Sequence, residues 1–137
     1  MGVGIDLIVD SDFQKRIERS PSLLATLLRL SYEIDANSQL ANRNENADNA
    51  KTDIQQAKSN LVSIEAIFKA LPGSLRTELG NLRISRDEQG RPHVVSLGHN
   101  KEELSKLKFH LSISHDSGVT IGIVIIESIT VGIALCD

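Results

Sequence analysis

Glu65 and Lys69 stand one helical turn apart in the stretch Leu61-Val62-Ser63-Ile64-Glu65-Ala66-Ile67-Phe68-Lys69-Ala70-Leu71. An acid followed by a base at that spacing has two uses. It is a common helix-stabilising pair, contributing about 0.2–0.5 kcal/mol. It is also half of a phosphate-and-metal site, in which the carboxylate takes the metal and the ammonium meets a phosphate as a point charge. A second carboxylate, Asp6, lies inside the short apolar run 3–9. An acid there either caps a local turn at a strand end, or is paired, hydrogen-bonded or metal-bound, because burial without a partner is costly. His110 and His115 are five residues apart, in a strand and its turn, so a regular strand points them to opposite sides. That is no zinc spacing. Ser112 and Ser114 beside them lack the Gly-x-Ser-x-Gly setting of a nucleophile. There is no P-loop and no GxGxxG, and Gly2-Val3-Gly4 is too short to count as one.

The elements that must carry these residues follow from periodicity. Residues 3–9 form a buried strand that closes at Asp10-Ser11-Asp12. Ser11 or Asp12 caps a helix beginning near Phe13, which breaks or bends at Ser20-Pro21. Arg16 and Arg19 lie off its apolar stripe, on a solvated face. Residues 31–49, rich in Asn, read as a polar loop. Ile54, Ala57, Leu61, Ile64, Phe68 and Leu71 then step by three or four and form one buried face of a long helix that stops at Pro72-Gly73. Glu65 and Lys69 fall beside that face. A strand over 81–86, a turn over 87–92 and a returning strand over 93–97 make a hairpin. A short polar helix over 101–107 precedes strands 109–114 and 120–126, joined by His115-Asp116-Ser117-Gly118. Residues 129–135 add an edge strand or project toward a neighbouring subunit.

The chain of 137 residues suits one domain. Its net charge of −3 argues against a general nucleic-acid binder. Three Phe, one Tyr and no Trp leave little for a base-stacking platform. Cys136 is the only cysteine, so the chain has no internal disulfide and a reducing cytoplasm is the expected setting. The N-terminus lacks the basic and apolar regions of a signal peptide. The apolar run 119–136 is interrupted by Glu127 and Ser128 and is expected to form two buried strands rather than a membrane span.

Four features occur in a recognisable order: Gly4-Ile5-Asp6-Leu7, then Glu65-Ala66-x-x-Lys69-Ala70-Leu71, then Arg86-Asp87-Glu88-Gln89-Gly90-Arg91-Pro92, then His110-Leu111-Ser112-Ile113-Ser114-His115. Over nearly its whole length the chain resembles the holo-acyl-carrier-protein synthases, the small 4'-phosphopantetheinyl transferases of fatty acid and lipid biosynthesis. The resemblance implies transfer of 4'-phosphopantetheine from coenzyme A to a serine of apo acyl carrier protein, with release of adenosine 3',5'-bisphosphate. It implies that Asp6 and Glu65 bind Mg²⁺ and that Lys69 reaches a phosphate. It places His115 near the phosphates of coenzyme A and the Gly90-Arg91-Pro92 turn along the adenine. It also implies an α+β fold, a small, mainly antiparallel sheet packed against a long central helix. The expected sheet takes the N-terminal strand, the hairpin and the last two strands. The family forms trimers with sites between subunits, so Asp6 and Glu65 would come from one subunit and the Gly90-Arg91-Pro92 turn from its neighbour.

The chain also departs from the family pattern. Asn60 and Ile64 stand where the family keeps an arginine and a lysine, so a weaker hold on coenzyme A is expected. Pro72-Gly73-Ser74 replaces Gly-Thr-Gly, leaving Ser74 as one donor to a phosphate. Val9 replaces an acid, with Asp10 adjacent. Asp12 replaces an arginine that docks the acidic carrier, a task Arg16 and Arg19 are placed to assume. The second reading is a diverged, slow or non-catalytic member that binds coenzyme A or the carrier. The third is an unrelated α+β domain in which Glu65–Lys69 is only an ion pair.

Overall fold

The computed structural model describes residues 1–31, 47–97 and 101–129. Strand β1 (Gly2–Val9) runs directly into α1 (Asp10–Arg19), and α2 (Ser22–Leu28) follows a break at Ser20-Pro21. The long helix α3 spans Ala47–Ala70, 24 residues. A 3₁₀ segment (Gly73–Asn81) leads to the hairpin β2 (Leu82–Arg86) and β3 (Pro92–Ser96). The short helix α4 (Lys101–Ser105) precedes β4 (Leu107–Asp116) and β5 (Val119–Ser128). This is the expected α+β class, an antiparallel sheet on a long helix.

Several details differ from expectation. Helix α1 begins at Asp10, and neither Ser11 nor Asp12 caps it. Asp10 and Asp12 instead place negative charge in its first turn, where the helix dipole favours it. Helix α3 begins at Ala47, inside the range expected as loop; the rest of that expectation, 32–46, lies outside the described residues, as do 130–137 and Cys136. The hairpin forms its own two-stranded sheet, whereas β1, β5 and β4 form a three-stranded antiparallel one in that order. Phe68 is 43% exposed rather than part of the buried face, because α3 rests on the sheet through Val62, Ala66 and Ala70.

That seating explains how the helix comes so close. Along β1, even-numbered residues face α3 and odd-numbered ones face away. The inward positions of the sheet include Gly2, Gly4 and, on β5, Gly122. A methyl group at Gly4 would overlap the carbonyl of Ala66, one at Gly2 that of Ala70, and one at Gly122 would press on Val62. Residues 62, 66 and 70 form one ridge of the helix, set into a groove of glycines. Gly2 and Gly4 are thus contact residues, not a nucleotide loop. Beyond this groove, Ile8 packs with Phe13, Leu27 and Leu61, while Ile126 packs with Ile67, Leu82 and Ile84.

Strands β4 and β5 are joined at Ser117-Gly118, whose φ angles of 50° and 79° are those of a type I′ turn. In the other hairpin, Asp87 accepts bonds from the backbone N–H groups of Gln89 and Arg91, both 2.9 Å, and Gly90 takes φ 80°. Hydrogen bonding from His93 is the main reason the Asp87 carboxyl lies below its ordinary value.

Candidate active site

The glycine groove places Asp6, the next inward residue of β1, against the side of α3 that carries Glu65 and Lys69. Asp6 retains only 13% exposure of its side chain. Lys69 Nζ donates to Asp6 Oδ1 at 2.9 Å and to the carbonyl of Ile5 at 3.0 Å. The second oxygen, Asp6 Oδ2, is buried with no hydrogen-bond partner. Glu65 adjoins it. Burial first, then the close approach and negative charge of Asp6, push the Glu65 carboxyl above its ordinary value, and Arg16 draws it partly back. Arg16 Nη1 lies 3.5 Å from Glu65 Oε1. The sequence suggested Arg16 only as a docking residue; it also belongs to this cluster. Arg19 sits exposed in the last turn of α1.

Two facing carboxylates, one with an orphaned buried oxygen, suit a hard divalent cation. Among the described residues no group of three or more acids, His or Cys could hold a metal. Two carboxylates are still enough for Mg²⁺, which commonly takes one or two together with substrate phosphates and water. The residues present therefore fit the metal.

A second feature lies around His115. A cleft of 590 Å³ is lined by Lys51, Gln55, Gln56 and Ser59 of α3, Arg86 of β2, and His115 of β4. Gln55 Nε2 donates to Thr120 Oγ1 at 3.2 Å, tying this part of α3 to β5. Lys51 went unnoticed in the sequence because it lies in no motif, and Arg86, which opens the motif 86–92, was given no role there. His110 points away from the cleft, as the five-residue spacing predicts, and lies 3.6 Å from Glu127 on the outer face. Ser112 and Ser114 alternate onto that outer face as well. Ser74 is exposed in the 3₁₀ segment. Arg91 is paired within its own turn, with Asp87 and Gln89, rather than with Asp6 or Glu65.

Similar proteins share this arrangement of elements. A holo-[acyl-carrier-protein] synthase of Nocardia farcinica is 27% identical over 135 residues, covering 93% of this chain and 87% of the relative. The chain is similar in sequence to holo-[acyl-carrier-protein] synthases. No family model matches it. The solved Mycobacterium tuberculosis acyl carrier protein synthase superposes with a TM-score of 0.61 at 21% identity, covering 93% of this chain and 96% of that one. The Helicobacter pylori synthase, solved in complex with coenzyme A, gives 0.58 at 17%, covering 91% and 99%. At these identities the structures show the synthase fold.

Within that fold, the two departures on α3 have structural consequences. Asn60 is fully buried. Its Nδ2 donates to the carbonyl of Leu27 at 2.8 Å and to Ser31 Oγ at 3.0 Å, while Oδ1 accepts from Gln56 at 3.1 Å. It bolts α3 to the end of α2. Ile64 is partly buried against the core. The chain also gains a pair the sequence did not suggest. Lys58, two turns before Glu65, is 9% exposed and its Nζ donates to Asp10 Oδ1 at 2.8 Å.

Proposed function

We propose that this chain transfers 4'-phosphopantetheine from coenzyme A to a serine of an apo acyl carrier protein in the cytoplasm, releasing adenosine 3',5'-bisphosphate. The observation that carries the reading is the Asp6–Glu65 pair, with its orphaned buried oxygen, in a chain related to the synthases. Asp6 and Glu65 would hold Mg²⁺, which when bound would neutralise pyrophosphate charge and the charge developing on the leaving group. Lys69 sits where its ammonium can turn from Asp6 to a phosphate. His115, with Lys51 and Arg86, lines a cleft whose cations suit further phosphate groups of coenzyme A. These two cations compensate in part for Asn60 and Ile64. Ser74 and the Gly90-Arg91-Pro92 turn complete the proposed coenzyme A contacts. Arg16 and Arg19 on α1 face the acidic carrier. The attacking oxygen belongs to the carrier's serine, which accords with Ser112 and Ser114 lying on the outer face, away from the cleft.

The same reading includes a homotrimer. The outward face of the three-stranded sheet carries Val3, Ile5 and Leu7 at 55–58% exposure and Ile121, Ile123 and Ile125 at 37–39%. Val3 pairs Ile125, Ile5 pairs Ile123 and Leu7 pairs Ile121, so these residues form one continuous patch. An apolar patch of this kind suits an interface between copies. Copies of the chain meeting there would let the Gly90-Arg91-Pro92 turn of one subunit complete the site of another. Sedimentation should give a trimer for the wild type and a smaller species for Ile123→Lys.

Intact-mass spectrometry tests the activity. Apo carrier protein incubated with the chain, coenzyme A and Mg²⁺ should gain the mass of one phosphopantetheinyl group. The burial of Asn60 favours a second reading, a slow or non-catalytic member. It predicts that coenzyme A raises the melting temperature while the carrier mass stays unchanged. Neither a mass gain nor a shift in melting temperature would discard both.

A further inference from the structure

Four charged side chains follow one another across the junction of β1, α1 and α3, two acids flanked by two cations. Lys69 holds Asp6 at 2.9 Å, Asp6 adjoins Glu65, and Arg16 holds Glu65 at 3.5 Å. Two acids are balanced by two cations, and each cation comes from the opposite side of the carboxylate pair. Lys69 and Arg16 are about half exposed, at 53% and 48% of their side chains, so both can swing into solvent. The carboxylates are less open, Glu65 at 38% and Asp6 at 13% of their side chains.

We propose that Arg16 and Lys69 are built-in counter-cations that stand in for the divalent cation on the Asp6–Glu65 pair and must let go when it binds. The proposal rests on the reading of Asp6 and Glu65 as metal ligands. Its consequence is a coupling. Release from Glu65 leaves Arg16 beside Arg19 on α1 with an unsatisfied charge, directed at an acidic protein partner. Release from Asp6 leaves Lys69 for a phosphate. Loading the site with metal thus switches on the two cations that receive the anionic substrates. By linkage, an acidic partner that engages Arg16 raises the affinity for metal by the same factor that metal raises the affinity for the partner. Arg16 therefore acts through Glu65 as a positioning residue.

The test is Mn²⁺ titration of the metal-free chain, read by the electron paramagnetic resonance signal of free Mn²⁺, with no coenzyme A present. An exposed pair of this kind contributes little, so Arg16→Gln should bind Mn²⁺ about two- to fivefold more tightly than wild type. Arg29→Gln, which removes an equal charge from the end of α2, serves as the control and should change little. Apo carrier binding should tighten on adding Mn²⁺ in the wild type and lose that dependence in Arg16→Gln. Equal or weaker Mn²⁺ binding by Arg16→Gln, or an equal gain from Arg29→Gln, overturns the counter-cation role and leaves the metal reading standing. Wild-type chain that binds no Mn²⁺, or binds it equally well as Glu65→Gln, overturns the metal reading and this proposal with it.

Discussion

Two acid–base groupings join β1 and its continuation to α3, and they are built differently. Lys58 and Asp10 form a closed pair, one acid to one base at 2.8 Å. The lysine is buried over the Phe13 ring, 5.7 Å from its centroid, and Asp10 also donates its backbone N–H to Gly118. The pair pins α1 and the β4–β5 turn to the helix. The Asp6–Glu65 grouping has two acids facing each other, an oxygen with no partner, and cations that remain half in water. The first arrangement satisfies its charges and holds the fold. The second leaves a buried oxygen unpartnered where the fold does not require it, as the proposed metal site would.

Substitutions should separate the two. The largest effect is expected from Asp6→Ala or Glu65→Ala. Either should abolish transfer in the mass assay while far-ultraviolet circular dichroism stays unchanged. A Glu65→Ala chain with undiminished rate would make the facing carboxylates a mere feature of packing. Lys58→Met should do the opposite. It should cost about 1 kcal/mol in urea unfolding, a modest loss because Asp10 keeps its solvent. Mn²⁺ binding should be unchanged, since Lys58 bonds to Asp10 and not to Asp6 or Glu65.

The smallest effect concerns pH. The Glu65 carboxyl is raised, so the folded state favours its protonated form. This contribution to stability is fully present below the ordinary value of 4.5 and is lost as pH rises through the higher folded value. Glu65→Gln should therefore stabilise the metal-free chain at neutral pH. The gain should be under about 1 kcal/mol, because the group is partly solvated and screened. The difference from wild type should close as pH falls below 4.5. A gain that persists into acid would point to packing rather than charge.

The outward and inward faces of the three-stranded sheet make a similar contrast. The inward face holds Gly2, Gly4, Asp6 and Gly122, and the outward face holds large aliphatic residues open to solvent. Alternation in β1 is plain in the sequence, yet the apolar set is the exposed one. Period alone does not say which face meets the helix. The glycines decide it, since only they admit the Ala66 and Ala70 carbonyls.

The sequence by itself determined the long helix, both hairpins, and the placement of His110 and His115 on opposite faces, because these follow from local periodicity and turn chemistry, while the α+β class came with the family resemblance. It also singled out Asp6, Glu65 and Lys69 as chemically promising residues through their order and spacing. Tertiary structure decided the rest. It set Lys69 on Asp6 and Arg16 on Glu65, across 63 and 49 residues of chain. It buried Asn60 as a bolt, gave Lys58 to Asp10, gathered Lys51 and Arg86 around His115, and turned Phe68 outward. Each of these depends on how closely the helix approaches the sheet and at what rotation. That is fixed by glycines far away in sequence, whose effect on a helix surface is invisible until the two are packed.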